Sequence, residues 1–178
     1  ILVNCKKSLA TNLQHGSEKI QYFDAPQSTL KKFWQAIRPH QWLKNALIFL
    51  PLILSHQLNH PNLLLQACVA FFSFSFIASS VYLLNDMLDI NSDRQHQSKF
   101  RRPFACGDLS LLYGYLGAPS LLILGFLIAL WLPTEFVFVL LTYWLMTTAY
   151  SLLLKSSFLI DVLTLASLYT WRIIAGSA

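Results

Sequence analysis

The sequence predicts an all-α fold, a polytopic bundle of membrane-spanning helices. Three observations predict it. Of 178 residues, 55% are hydrophobic and 12% charged, about half the charge of a soluble domain. Five apolar stretches approach the roughly 20 residues that carry a helix across a bilayer. The Lys and Arg residues fall in alternate connecting segments, as the positive-inside rule requires. The net charge of +5 does not point to nucleic acid, because the basic residues flank apolar runs instead of forming one patch. The expected partner is the lipid bilayer.

Residues 1–38 form a mixed, polar amino-terminal segment, and residues 39–178 the membrane domain. "ILVNCKKSL" is a short apolar start that suits a strand. No signal-peptide core is present in the first 30 residues. In "STLKKFWQAIRPHQW", Leu30, Phe33, Trp34 and Ile37 recur at helical spacing beside Lys31, Lys32 and Arg38, which predicts an amphipathic helix on the membrane surface. The five apolar stretches are residues 43–58, 63–84, 109–131, 135–154 and 158–177. The first is short and holds Pro51, so a kink or tilt is expected. The third carries Gly114, Gly117, Pro119 and Gly125, residue types common in spanning helices. The three cysteines fit neither a zinc pattern nor a disulfide framework. His40, His56 and His60 lack ligand-like spacing.

Lys31, Lys32, Arg38 and Lys44 precede or open the first span. Arg94, Lys99, Arg101 and Arg102 lie in the segment 85–108, and Lys155 follows the fourth span. The segments "HQLNHPN" and "LPT" carry none. The amino end, the segment 85–108 and the Lys155 turn are therefore expected to face the cytoplasm.

One stretch interrupts the oily pattern: "NDMLDINSDRQHQSKFRRP", residues 85–103. Asp86, Asp89 and Asp93, spaced three and four apart, share one face of a helix, with Asn85 beside Asp89. Three exposed carboxylates on one face repel, so a compensating cation is expected. Hard oxygen ligands suit Mg²⁺, which binds through one or two carboxylates plus substrate phosphates. His96, Lys99, Arg101 and Arg102 follow, donors suited to phosphate oxygens. An EF-hand does not fit, since its Gly and closing Glu are missing. A solvated loop would also carry charges, and spacing alone does not separate the two.

"NDMLDINSD" resembles the first aspartate-rich motif, N-D-x-x-D-x-x-x-D, of the UbiA family of intramembrane prenyltransferases, with each defined position matched. "RRPFACGDLS" is similar to the segment that follows that motif, and "RPHQWLKN" to the approach to the family's first span. "TAYSLLLKSSFLIDVL" and "YTWRIIAG" resemble its fourth and fifth spans. The resemblance covers residues 38–178. It implies nine spans around a cavity open to the membrane, of which this chain supplies about five. The chain stops at "RIIAGSA", before the usual place of a second aspartate-rich motif, so residues 1–178 alone are expected to be inactive. The start is similar to the closing strand of a haloacid-dehalogenase-like domain that precedes this fold in some relatives.

The resemblance implies a Mg²⁺-dependent transferase of the cell (inner or plasma) membrane that displaces diphosphate and joins a polyprenyl lipid to an acceptor. The alternative is phosphoribosyl transfer from phosphoribosyl diphosphate to a polyprenyl phosphate, the branch that "RPHQWLKN", the loop from His96 to Arg102 and "YSLLLK" resemble more. A non-catalytic membrane remnant is the alternative of another class. Asp86, Asp89 and Asp93 are the expected catalytic and metal-binding residues. Asn85, Lys44, Lys99, Arg101, Arg102, Tyr150, Lys155 and Arg172 are the expected substrate and phosphate contacts. Arg172 lies 11 residues, about three turns, after Asp161, with Tyr169 nearby. An ionisable group inside a span faces a cavity or a partner, so Arg172 is read as facing the cavity, there to pair with a carboxylate or hold phosphate. Oligomeric state is not legible.

Overall fold

The computed structural model describes residues 2–3, 22–23, 28–154 and 158–178, with side chains over 28–152 and 162–178. The expectations for Lys155 and the Asp161 side chain fall outside these residues. At the amino end β1 (Leu2–Val3) and β2 (Tyr22–Phe23) form a two-residue parallel bridge. The other described elements are helical.

Helix α1 (Thr29–Ile37) starts at Ser28, whose hydroxyl accepts from the Lys31 backbone N–H at 3.4 Å, a weak cap. Its Ala36 and Ile37 are buried while Leu30 and Trp34 are exposed. Apolar residues thus point both into the bundle and away from it, as on a helix lying in a bilayer interface. Arg38 closes the helix in the left-handed conformation, φ 54° and ψ 58°. That role usually falls to Gly, and Pro39 then opens the next element.

That element departs from the expected first span. Residues Pro39–Phe49 form a 3₁₀ helix, and only Leu50–Leu54 (α2) is α-helical. Pro39 and Pro51 sit at the starts of the two pieces, where a missing N–H is tolerated. A 3₁₀ helix rises about 2.0 Å per residue. The two pieces together therefore span about 30 Å, the hydrocarbon thickness, with few residues.

Helix α3 (Pro61–Leu88) is the longest, at 28 residues. Three of its buried serines find a partner on another element. Ser73 donates to Gly125 O at 2.8 Å, Ser75 accepts from Asn45 at 2.9 Å, and Ser79 donates to Ile37 O at 2.8 Å. Small hydroxyl residues hold helices together where water is absent. The backbone bends at Asp89, and α4 (Ile90–Gln95) continues it. Hydrogen bonds from Asp89 N to Asn85 O and from Asp93 N to Asp89 O, at 3.0 and 2.8 Å, keep the helical direction across the bend.

Helix α5 (Leu111–Ala129) turns Gly114, Ala118, Gly125 and Ala129 inward, one face of small residues. A Cβ at Gly125 would meet Ile77 Cγ1 at 2.6 Å, so α3 and α5 approach closely only because that position is Gly. Helix α6 (Thr134–Ala149) leads into a π-helical turn, Tyr150–Leu154, and α7 (Phe158–Ser177) closes the described chain. Three stretches among the described residues, Pro61–Leu88, Leu111–Ala129 and Thr134–Leu152, are long and apolar enough to cross a membrane. Phe74, Ile77, Phe136, Leu140 and Ala175 form the main core, and Ile37, Leu83, Phe104 and Ala118 a second one beneath α1.

Candidate functional site

Asp86, near the end of α3, is 1% exposed. Its Oδ1 accepts from Arg38 and, at 3.2 Å, from Arg102. Arg102 NH1 also donates to Asp93 Oδ2 at 2.7 Å, and Asp93 is 2% exposed. The expectation of three exposed carboxylates is thus corrected. Two of them are buried on one side of the α3–α4 axis, seven residues apart, and two arginines offset their charge. Asp89 is half-buried at the bend between them.

Arg102 reaches this position because the loop after α4 folds back. Arg94 Nε donates to Ala105 O at 3.0 Å, and Lys32 of α1 forms an ion pair with Asp108. Arg38 reaches it from the other side, placed by its left-handed backbone. Such strained residues cluster at functional sites.

Two cavities share Arg38 in their linings. One, of about 320 Å³, is bordered by Arg38, His40, Asp86, Lys99, Arg101 and Arg102. The other, of about 280 Å³, is bordered by Arg38, Lys44, Tyr82, Asn85, Tyr150 and Arg172 among others, and no carboxylate of the described residues lines it. The structure therefore gathers the expected residues into two groups. Asp86, Lys99, Arg101 and Arg102 border the first cavity; Lys44, Asn85, Tyr150 and Arg172 border the second. A further cavity of about 340 Å³, bordered by Pro51, Gln57 and Phe136, has no charged side chain in its lining.

Arg172 of α7 is 4% exposed. It donates to Asn45 Oδ1 at 2.8 Å, to Leu168 O at 2.7 Å and to the Tyr143 hydroxyl at 3.4 Å. Its guanidinium lies 5.4–5.8 Å from the ring centres of Tyr169, Tyr143 and Phe74. Among the described residues its partners are neutral, so the expected pairing with a carboxylate is not seen. Tyr150 opens the π turn, a distortion common at functional sites.

Among the described residues no three His, Cys, Asp or Glu side chains converge as a metal-holding group. A fit for a cation nevertheless exists. Asp86 Oδ2 is buried without a hydrogen-bond partner, and such an orphaned acceptor is rare in a protein interior. By sequence, Arg38 belongs to the surface helix and Asn45 has no role; the structure places both at the site. The signal for both is in "RPHQWLKN", where they begin and end the motif.

The model of the UbiA prenyltransferase family matches residues 46–178, three-quarters of the chain. The chain belongs to the UbiA prenyltransferase family. Among curated relatives of this UbiA member, the uncharacterized protein y4nM of Sinorhizobium fredii is 33% identical over 99% of this chain and 34% of its own length. Nodulation protein NoeC of Azorhizobium caulinodans is 36% identical over 82% of the chain and 47% of its own length. Decaprenyl-phosphate phosphoribosyltransferase of Mycolicibacterium smegmatis is 31% identical over 91% of the chain and 52% of its own length. This UbiA chain thus spans between a third and about half of the length of these relatives.

Proposed function

We propose that the protein carrying this UbiA segment transfers a phosphoribosyl group from phosphoribosyl diphosphate to a polyprenyl phosphate. The observation that carries the reading is the pair of cation-lined cavities that share Arg38 in their linings. Two anionic reactants must be held side by side in this reaction, and each cavity offers one of them a set of donors. The similarity to a decaprenyl-phosphate phosphoribosyltransferase over 91% of the chain supports this branch over prenyl transfer to an aromatic acceptor.

In the reaction the bond between ribose C1 and the diphosphate oxygen breaks, and a lipid phosphate oxygen forms the new bond to C1. Diphosphate leaves. Lys99, Arg101 and Arg102 hold diphosphate oxygens at the rim of the first cavity. Asp93 fixes Arg102, which leaves Arg102 aimed at that cavity. Lys44, Arg172 and Tyr150 receive the second phosphate and orient its oxygen. Lys155, which lies outside the described residues, is proposed as a further phosphate contact on the resemblance alone. Asp86, through its unpartnered Oδ2, and Asp89 would hold Mg²⁺ together with substrate oxygens, in keeping with that ion's habit of using one or two protein carboxylates. Bound there, Mg²⁺ supplies Lewis-acid stabilisation of charge on the departing diphosphate. The site faces the cytoplasm of the inner or plasma membrane, where phosphoribosyl diphosphate is soluble and Lys and Arg concentrate.

The test incubates membranes holding the full-length protein with Mg²⁺, labelled phosphoribosyl diphosphate and decaprenyl phosphate. A parallel reaction holds decaprenyl diphosphate and hydroxybenzoate. A labelled lipid in the first and none in the second supports the proposal. The reverse result removes it.

A further inference from the structure

Among the described residues Arg172 is buried without a carboxylate partner, and that needs a reason. A guanidinium removed from water is costly unless paired or fully hydrogen-bonded. A cross-link between α7 and the 3₁₀ segment would be met by an acid at the Asn45 position, or by an apolar pair. The chain has instead a neutral amide there. Asn45 is 1% exposed, and its own orientation is fixed, because Nδ2 donates to Ser75 Oγ at 2.9 Å. The anchored NH₂ leaves Oδ1 to face Arg172, and that oxygen accepts from Nε–H at 2.8 Å. The Leu168 carbonyl and the Tyr143 hydroxyl take one N–H each. A guanidinium has five N–H donors, so two have no partner among the described residues. Arg172 borders the cavity that no carboxylate of the described residues lines.

We infer that Asn45, anchored by Ser75, is a positioning residue for Arg172: a neutral acceptor that fixes the guanidinium while leaving its whole charge to an anionic group in the cavity. The inference rests on the proposed function, which makes that group the phosphate of a reactant. Away from bulk water an unneutralised cation attracts an anion strongly, whereas a carboxylate at position 45 would take up that attraction itself.

The experiment uses the full-length protein with Asn45→Asp, Ser75→Ala and Arg172→Gln. It measures melting temperature in detergent, kcat, and KM for phosphoribosyl diphosphate and for decaprenyl phosphate separately. It also measures the dissociation constant of inorganic pyrophosphate. Asn45→Asp keeps the acceptor and adds an ion pair, so the melting temperature is held or raised. KM for at least one reactant rises about tenfold or more, with kcat within about threefold. Ser75→Ala lets the amide turn and raises the same KM about threefold. If both variants keep KM within twofold of the parent while Arg172→Gln loses affinity, Asn45 is merely structural and the inference falls, with the anion-binding role of Arg172 intact. If Arg172→Gln also keeps both KM values, the second cavity is not an anion site, and the functional reading fails along with the inference.

Discussion

Replacing Asp86 with Ala removes the acceptor that Arg38 and Arg102 share. Turnover of the full-length protein is expected to fall at least about a hundredfold, since stabilisation of charge on the leaving group is lost. Membrane yield falls as well. Removing one member of a buried ion pair costs up to about 3 kcal/mol here, because both arginines keep some contact with water. Asp86→Asn keeps the shape and one acceptor, so yield should recover while turnover does not; recovery of both would remove Asp86 from the chemistry. Arg101 is exposed at the rim of the first cavity. Arg101→Ala should raise the apparent KM for phosphoribosyl diphosphate and leave kcat little changed, the pattern of uniform binding. The spacing of the aspartates made the acidic patch legible. Their burial was not, because the arginines that offset them come from 48 and 16 residues away in sequence. No local window shows that Arg38 turns inward, since a left-handed Arg before Pro has no propensity signal.

Among the elements, the long helices were legible because each is apolar enough to announce itself. The first span was legible as a stretch but not in its geometry, since 3₁₀ and α helices share a hydrophobic content and differ in pitch. The contact between α3 and α5 depends on small residues, and Gly125→Leu is expected to lower the melting temperature in detergent. Overpacking of this kind costs about 1–3 kcal/mol; an unchanged melting temperature would show that the helices separate without strain. Helix α1 is tied to the loop by Lys32 and Asp108. The Lys32 hydrogen bond holds the Asp108 carboxyl below the ordinary carboxylate value. A depressed carboxylate contributes stability at pH above the ordinary value and loses it as pH falls through its folded value. The protection of α1 amides from hydrogen exchange, relative to their intrinsic rate at each pH, should therefore stay constant from pH 8 to pH 5 and fall only in stronger acid. The effect is small, at most about 1 kcal/mol for a surface pair, and Asp108→Asn should abolish it.

At the scale of the whole molecule, the loops carry the test of orientation. A cysteine introduced at Gln97 should be labelled only from the cytoplasmic side, and one at Asn59 only from the other. Labelling of both from one side would overturn the order of spans. The fold class was readable from composition and charge alternation alone, because a bilayer admits so few architectures. The division of the charged residues into two cavities was not, since it depends on where helices cross. Arg38 borders both cavities yet, among the described residues, is bonded to a single carboxylate. An oxyanion entering either side draws on the same guanidinium, so under the proposed function the binding of the two reactants is coupled. Each must change the dissociation constant of the other by the same factor, as linkage demands. Titration of the full-length protein with pyrophosphate, with and without decaprenyl phosphate, measures that factor. In Arg38→Lys, which has one ammonium in place of a forked donor, it should shrink toward one.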